Sequence, residues 1–251
     1  MTSQVCIQIN NLTKRYFASK EESLKQVSIT INSGEKFGIL GPNGAGKTTL
    51  ISIICGIIQS TGGSIKYFEQ GNEVNLKTFR KKTGFVPQEY AFYEELTPNQ
   101  NLEYFGALYN LSKKEINSRT KKLLFLLGLS KVSDKKLQTF SGGMKRRINL
   151  AIGIIHKPTI LFLDEPTVGV DVQSKNAIIG FLNELNKEGT TIIYTSHHMS
   201  EAEEFCNYIA LLDYGKLIAC DSLTNLLNLH ESSSLKSLFI NLTGEDYRDN
   251  V

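Results

Sequence analysis

The stretch Gly41-Pro42-Asn43-Gly44-Ala45-Gly46-Lys47-Thr48 lies between an apolar run, Phe37-Gly38-Ile39-Leu40, and a second run, Thr49-Leu50-Ile51-Ser52-Ile53-Ile54, that reads as a helix. It matches the pattern G-x-x-x-x-G-K-[ST] in the strand, loop and helix context that this pattern requires. Glycines let backbone N–H groups converge on a polyphosphate, and the following helix adds its positive N-terminal end. Lys47 supplies a point charge and the Thr48 hydroxyl can ligate Mg²⁺. A plain chain-reversing turn has no use for the Lys-Thr pair, so a nucleoside triphosphate is the expected ligand. The loop alone does not separate a nucleotide kinase from a motor, a GTPase or a transport ATPase, because one fold hosts many chemistries.

Two acids mark another strand end. Pro158-Thr159-Ile160-Leu161-Phe162-Leu163 is a continuous apolar run, as expected of a parallel strand buried on both faces, and it runs into Asp164-Glu165-Pro166. Buried carboxylates are costly without charged partners. Asp164 suits the Mg²⁺ of a bound nucleotide, and Glu165 can orient or deprotonate a water aimed at the γ-phosphate. A third strand, Thr190-Thr191-Ile192-Ile193-Tyr194-Thr195-Ser196, ends at His197, which can donate to the γ-phosphate or hold the water. If the chain stays extended there, His198 points the other way. The two imidazoles lack the i,i+4 spacing and supporting ligands of a metal motif.

Further polar groups accompany these. Gly84-Phe85-Val86-Pro87-Gln88 reads as a strand that leaves the Gln88 amide at its end. Ser141 can cap a helix whose apolar positions Ile148, Ala151, Ile152 and Ile155 recur at helical spacing, and Gly142 and Gly143 leave its N–H groups open to an anion. A simple Ser-Gly cap would look the same. In Lys14-Arg15-Tyr16-Phe17 an aromatic ring either stacks on a purine base or packs within a loop.

The remaining pattern gives an organisation. Val5–Ile9 and Val27–Ile31 alternate as half-buried strands, Asn32-Ser33-Gly34 turns the chain, and Gly62–Tyr67 reads as a hairpin piece. From Pro98 to about Leu129 the pattern is helical, with Leu102, Phe105, Leu108 and Tyr109 on one face and Leu123, Leu124 and Leu127 on another. A chain of 251 residues, 41% hydrophobic and 21% charged, suits a soluble globular protein with a sizeable core. No run reaches the length of a membrane span, and Met1-Thr2-Ser3-Gln4 lacks signal-peptide character, so a cytosolic chain is expected. The net charge of +3 is too small to argue for nucleic acid. The clusters Lys77–Lys82 and Lys145–Arg147 are explained as well by solvated faces. Cys6, Cys55, Cys206 and Cys220 lack C-x-x-C spacing and read as buried thiols.

Taken together, the chain resembles the nucleotide-binding subunit of ATP-binding cassette (ABC) transporters from about Val5 to Asp221. Gly41–Thr48 looks like that family's Walker A motif, with Thr49 extending it. Tyr16 falls at the adenine-stacking aromatic, with Phe17 as the fallback, and Gln88 at the Q-loop glutamine that contacts Mg²⁺ and senses the membrane partner. Phe140-Ser141-Gly142-Gly143-Met144 resembles the Leu-Ser-Gly-Gly-Gln signature, departing from it at both ends. Ile160–Asp164 with Glu165 resembles Walker B and its catalytic glutamate, Val168-Gly169-Val170-Asp171 the D-loop, and His197 the switch histidine.

The resemblance implies an α/β fold: a P-loop ATPase core with a mostly parallel sheet, an antiparallel β subdomain and a helical insert. The ATPase domain would span 1–230, with the insert at about 89–157 and a short tail at 231–251. Catalysis would fall to Lys47, Glu165 and His197, and Mg²⁺ to Thr48, Gln88 and Asp164. ATP would be held by Tyr16, Gly41, Pro42, Asn43, Gly44, Ala45, Gly46, Lys47, Thr48, Thr49 and Gln88, with Ser141, Gly142 and Gly143 of a second subunit closing over it. A homodimer, or a pair with a similar ATPase subunit, would then work on separate membrane-spanning permease subunits from the cytoplasmic side of the cell membrane. Within the family, Val86–Thr97 and Ser237–Gly244 look most like exporters of the ABC-2 type. A soluble ABC ATPase acting on nucleic acid or ribosomes is the alternative. Against it, Gln88 and Ser141 are separated by only a short helical insert and no duplication is visible. A nucleotide-gated scaffold that does not turn ATP over is disfavoured by the presence of both Glu165 and His197.

Overall fold

A computed structural model describes residues 4–17 and 19–244. The chain divides into two compact units, Met1–Lys81 with Thr191–Val251, and Lys82–Thr190.

The first unit begins with two long antiparallel strands, β1 (Val5–Arg15) and β2 (Glu22–Asn32), paired so that Ile7 faces Ile31 and Ile9 faces Ile29. Both strands outrun the alternating segments read from sequence, and Lys14 and Arg15 belong to β1 rather than to a connecting loop. A hairpin of β4 (Gly62–Glu69) and β5 (Asn72–Val74) completes an antiparallel sheet of order β2-β1-β4-β5. Ile7, Ile9, Leu12, Leu24, Val27 and Ile31 are fully buried on it.

Strand β3 (Lys36–Leu40) pairs in parallel with β8 (Thr191–Ser196) and with β9 (Tyr208–Asp213), and β10 (Lys216–Ser222) returns antiparallel to β9. Phe37 through Leu40 and all of β8 are buried, the pattern of parallel strands covered on both faces. Helix α1 (Lys47–Ile54) leaves β3 through the phosphate-loop sequence, and α2 (Leu76–Arg80) follows β5, its Lys77 and Arg80 exposed as expected of a solvated basic face. Helix α7 (Met199–Phe205) joins β8 to β9, while α8 (Leu223–Leu229) and α9 (Leu235–Thr243) follow β10. Within the stretch read as a tail, Leu235, Leu238 and Phe239 of α9 are buried, and the Leu235 N–H donates to the Glu203 carboxylate at 2.9 Å. Residues 245–251 of that stretch lie outside the described residues.

The second unit carries a parallel pair, β6 (Thr83–Val86) with β7 (Ile160–Asp164), in the register Thr83 to Ile160 through Val86 to Leu163. Its helices are α3 (Pro98–Leu108), α4 (Lys113–Leu126), α5 (Gly142–Ile154) and α6 (Val172–Lys187). Reciprocal capping boxes, Thr97 with Gln100 and Ser112 with Glu115, fix the starts of α3 and α4. The burial of α3 differs from the expected face: Leu102 and Gly106 are inside, whereas Leu108 is 62% exposed. Asn101 takes an interior place instead, because its side chain accepts from the Tyr93 N–H and donates to the Tyr93 and Thr97 carbonyls. On α4 and just past its end, Leu123, Leu124 and Leu127 are buried as expected.

Candidate functional site

In the first unit the phosphate-loop residues connect β3 to α1. Gly46 stands at the N-cap of α1 with φ 104°, and a Cβ there would come within 2.6 Å of the Ser23 carbonyl oxygen, so only glycine starts this helix without displacing β2. No side-chain hydrogen bond caps α1 at Gly46, and the N-terminus of a helix is the end whose backbone N–H groups favour an anion. Lys47 is only 5% exposed, and its Nζ donates to the carbonyl oxygens of Gly41 at 2.8 Å and Pro42 at 3.2 Å. The ammonium is thus held within the loop. Gly215 donates its N–H to the Ala45 carbonyl at 3.0 Å, tying the loop to the turn after β9.

Tyr16 lies at the same place. Its hydroxyl is 3.3 Å from Thr49 Oγ1, Lys14 Nζ sits 5.0 Å from its ring centroid, and the residue is 42% exposed. An aromatic face at the loop's rim is thereby available for stacking, while Phe17 stands fully in solvent. His197 follows β8, half-buried. The strand stops at Ser196, so the two imidazoles do not splay to opposite sides as an extended chain would require; His197 and His198 lie 4.0 Å apart, centroid to centroid. The His198 N–H donates to Ser196 Oγ at 2.9 Å, which turns the chain into α7.

In the second unit β7 delivers its two acids to the end of a wholly buried strand, with Asp164 3% and Glu165 6% exposed. Glu165 adopts φ 49°, a left-handed conformation that few non-glycine residues take. Holding a residue there costs of order 1–3 kcal/mol, and such strain gathers at functional sites. Its carbonyl accepts from the Val168 N–H at 3.3 Å.

The Ser141-Gly142-Gly143 tripeptide starts α5, with Ser141 Oγ accepting from the Met144 N–H at 3.3 Å. A Cβ on Gly143 would overlap Ser174 Oγ, which is itself held by Asp171 Oδ2 at 2.8 Å. Asp171 caps α6, accepting also from the Ser174 N–H at 2.8 Å, and these bonds, the backbone one first, hold its carboxyl below the usual carboxylate range. Gly142 is different: beside its Cβ position the nearest atoms are 3.7 Å away, so that side stays open.

Gln88 is exposed, yet its backbone is fixed from α5. Arg146 Nη1 donates to the Gln88 carbonyl at 2.7 Å and the Pro87 carbonyl at 3.2 Å. Asn149 Nδ2 donates to Pro87 at 3.0 Å and its Oδ1 accepts from the Ala91 N–H at 3.1 Å. The sequence reading missed this role, because a solvated face explains the basic cluster Lys145–Arg147 just as well. In fact Arg146 is 4% exposed, Lys145 pairs with Glu94 at 2.6 Å, and Arg147 Nη1 donates to the Leu127 carbonyl at 2.8 Å. Burial lowers the pKa of Arg146, opposed by Tyr90, Asp164 and Glu165. Helix phase carries the missed signal, because Gly143, Arg146, Asn149, Leu150 and Gly153 form one buried stripe at spacings of three and four.

A strand–loop–helix phosphate cradle on an α/β fold, accompanied by a buried Asp-Glu pair at a strand end, defines a P-loop nucleoside triphosphatase. A family model described as ABC transporter matches residues 24–168, and the chain belongs to that family. It is 43% identical over 222 residues to the linearmycin resistance ATP-binding protein LnrL of Bacillus subtilis (strain 168), covering 88% of this chain and 70% of that protein. It is 35% identical over 216 residues to the Nod factor export ATP-binding protein I of Sinorhizobium fredii (strain NBRC 101917 / NGR234), covering 86% of this chain and 62% of that protein. A solved dimeric ATP-binding cassette in a post-hydrolysis state, bound to ADP and Pi, superposes with TM-score 0.76 and 28% identity over 86% of this chain and 98% of that one. The chain is therefore an ATP-binding, ATP-hydrolysing subunit of the transporter ATPase class. Among the described residues no helix is long and apolar enough to cross a membrane.

Proposed function

We propose that this chain hydrolyses ATP within a head-to-tail pair of subunits and delivers the resulting motion to separate membrane-spanning permease subunits that export a substrate. The observation that carries the chemistry is Glu165: a buried carboxylate in a strained turn directly after a buried strand. In this reading Glu165 accepts a proton from the attacking water and His197 holds that water or the γ-phosphate. Lys47 and the N-terminal end of α1 bind the phosphates, and Tyr16, with Phe17 as the fallback, stacks on adenine. Hard oxygen donors suit Mg²⁺, and Thr48, Gln88 and the buried carboxylate of Asp164 supply them. Held by these groups, Mg²⁺ would supply charge neutralisation at the phosphate oxygens.

The head-to-tail arrangement is supported by the surplus of anion-binding helix starts, α1 and α5, and by the dimeric state of the solved relative with ADP and Pi. Ser141, Gly142 and Gly143 would then close on the ATP of the partner subunit, homologous or identical. Export, of the ABC-2 type, is supported by relatives named for linearmycin resistance and Nod factor export. The ATPase domain would run over 1–230, on the cytoplasmic side of the membrane and peripheral to it, with no nucleic acid as partner. Tyr90 and Tyr93, 40% and 46% exposed, offer an aromatic surface for the permease, although Tyr90 also stacks on Phe92 and Tyr93 packs edge-on to Tyr104. Purification from native membranes in mild detergent tests the transport reading: a spanning protein should accompany the chain, and isolation of a lone soluble ATPase would contradict it.

A further inference from the structure

The loop that follows β6 and the helix that follows Ser141 are joined by interior polar bonds that packing alone does not require. Arg146 is a cation taken almost wholly out of water, and its hydrogen-bond partners are two backbone carbonyls, Pro87 at 3.2 Å and Gln88 at 2.7 Å, while its Nε finds none. Even with the charges of Asp164 and Glu165 favouring its ionised form, a buried cation with so few hydrogen bonds is an expensive way to fill space. The Tyr90 ring covers the guanidinium at 5.2 Å, and its hydroxyl donates to the Gly142 carbonyl at 3.2 Å. One turn on, Asn149 uses both ends of its amide on the same loop, donating to Pro87 and Glu89 and accepting from Ala91. Every residue from Pro87 to Ala91 is therefore bonded or covered by α5.

We propose that Arg146 and Asn149 are positioning residues that latch the loop carrying Gln88 to the helix carrying Ser141-Gly142-Gly143, so that the two move as one body through the ATP cycle. This rests on the assignment of Gln88 and the tripeptide made above. A latch of this kind lets a displacement felt at Gln88, Tyr90 or Phe92 reach the N-terminus of α5 without slack, and the reverse. Its removal should spare ATP binding by Lys47 and impair turnover.

Arg146→Met removes the charge and both bonds while keeping an unbranched apolar stem, an exchange that buried cations often tolerate without loss of fold. In the full chain, kcat for ATP should fall by about tenfold or more while KM and ATP affinity change by less than about twofold. The Ala91 amide, bonded to Asn149, should exchange with solvent at least about tenfold faster. Arg146→Lys should recover part of both, since an ammonium reaches one carbonyl but not two. If Arg146→Met fails to fold, Asn149→Leu serves with the same expectations. Wild-type kcat in a folded variant, or lost turnover with unchanged Ala91 exchange, would overturn the latch; so would a joint fall in kcat, ATP affinity and Tm, the mark of a purely structural role. Gln88→Ala and Gly142→Asp separate the two levels. Normal hydrolysis in both would overturn the underlying assignment, whereas their inactivity beside a fully active Arg146→Met would overturn the latch alone.

Discussion

Lys47 Nζ donates to the Gly41 carbonyl oxygen at 2.8 Å, so the lysine that closes the phosphate-binding loop is anchored to the residue that opens it. The ammonium is thereby held inside the loop that the sequence pattern assigns to the phosphates. Lys47→Ala should reduce ATP turnover by about 10²-fold or more. Phosphate release measured at saturating ATP checks this, and wild-type activity in the variant would refute the role given to the loop.

Glu165→Gln keeps the side chain's shape and polarity and removes its ability to take a proton. Hydrolysis should fall sharply, while ATP still binds and promotes a closed dimer, as read by sedimentation with and without nucleotide. Normal hydrolysis would show that Glu165 is not the catalytic carboxylate.

Gly142 and Gly143 should respond unequally to the same small change. A Cβ on Gly143 meets Ser174, which Asp171 holds in place, so Gly143→Ala should displace the start of α5, cost about 1–3 kcal/mol and lower turnover. Gly142→Ala meets nothing closer than 3.7 Å and should leave stability within about 0.5 kcal/mol of wild type. Denaturant midpoints of the two variants make the comparison, and equal losses would contradict the packing described.

Asp171 titrates lower in the folded chain than its ordinary value, because Ser174 donates to its ionised form. Its contribution to stability is complete above the usual aspartate pKa of about 4 and is lost as pH falls through the lowered value. The stability advantage of wild type over Asp171→Asn at about pH 7 should therefore shrink by about pH 3. Tm measured at both pH values tests this, and an unchanged difference would argue that the charge of Asp171 is not what Ser174 stabilises.

The residues legible in sequence were those whose chemistry is local. Gly41–Thr48 carries its own strand, loop and helix context, and the run Ile160–Leu163 announces a buried strand whose next residues, Asp164 and Glu165, are acidic. Ser141 reads as a cap because capping needs only the next three residues. What stayed hidden depended on partners far along the chain. Arg146 looks like one of three solvated cations until the carbonyls of Pro87 and Gln88, nearly sixty residues away, are brought beneath it. Asn101 likewise displaces the expected apolar face of α3 by bonding to Tyr93. The left-handed turn at Glu165 has no residue signature, since glycine is the usual marker of that conformation and a glutamate stands there instead.

The central claim is a composite site, in which Lys47 of one subunit and Ser141-Gly142-Gly143 of the other serve the same ATP. Lys47→Ala subunits and Gly142→Asp subunits should each be inactive alone, the second because its added carboxylate repels phosphate at the start of α5. In a mixed dimer one site combines both lesions, while the other pairs an intact Lys47 with an intact signature. ATPase activity of verified mixed dimers, measured with the membrane partner present, is the decisive quantity, with a dimer of one wild-type and one doubly mutated subunit as control for sites that must fire together. Partial recovery is the predicted result. If the control dimer is active and the mixed dimer is not, the signature does not act across subunits and the composite site is contradicted.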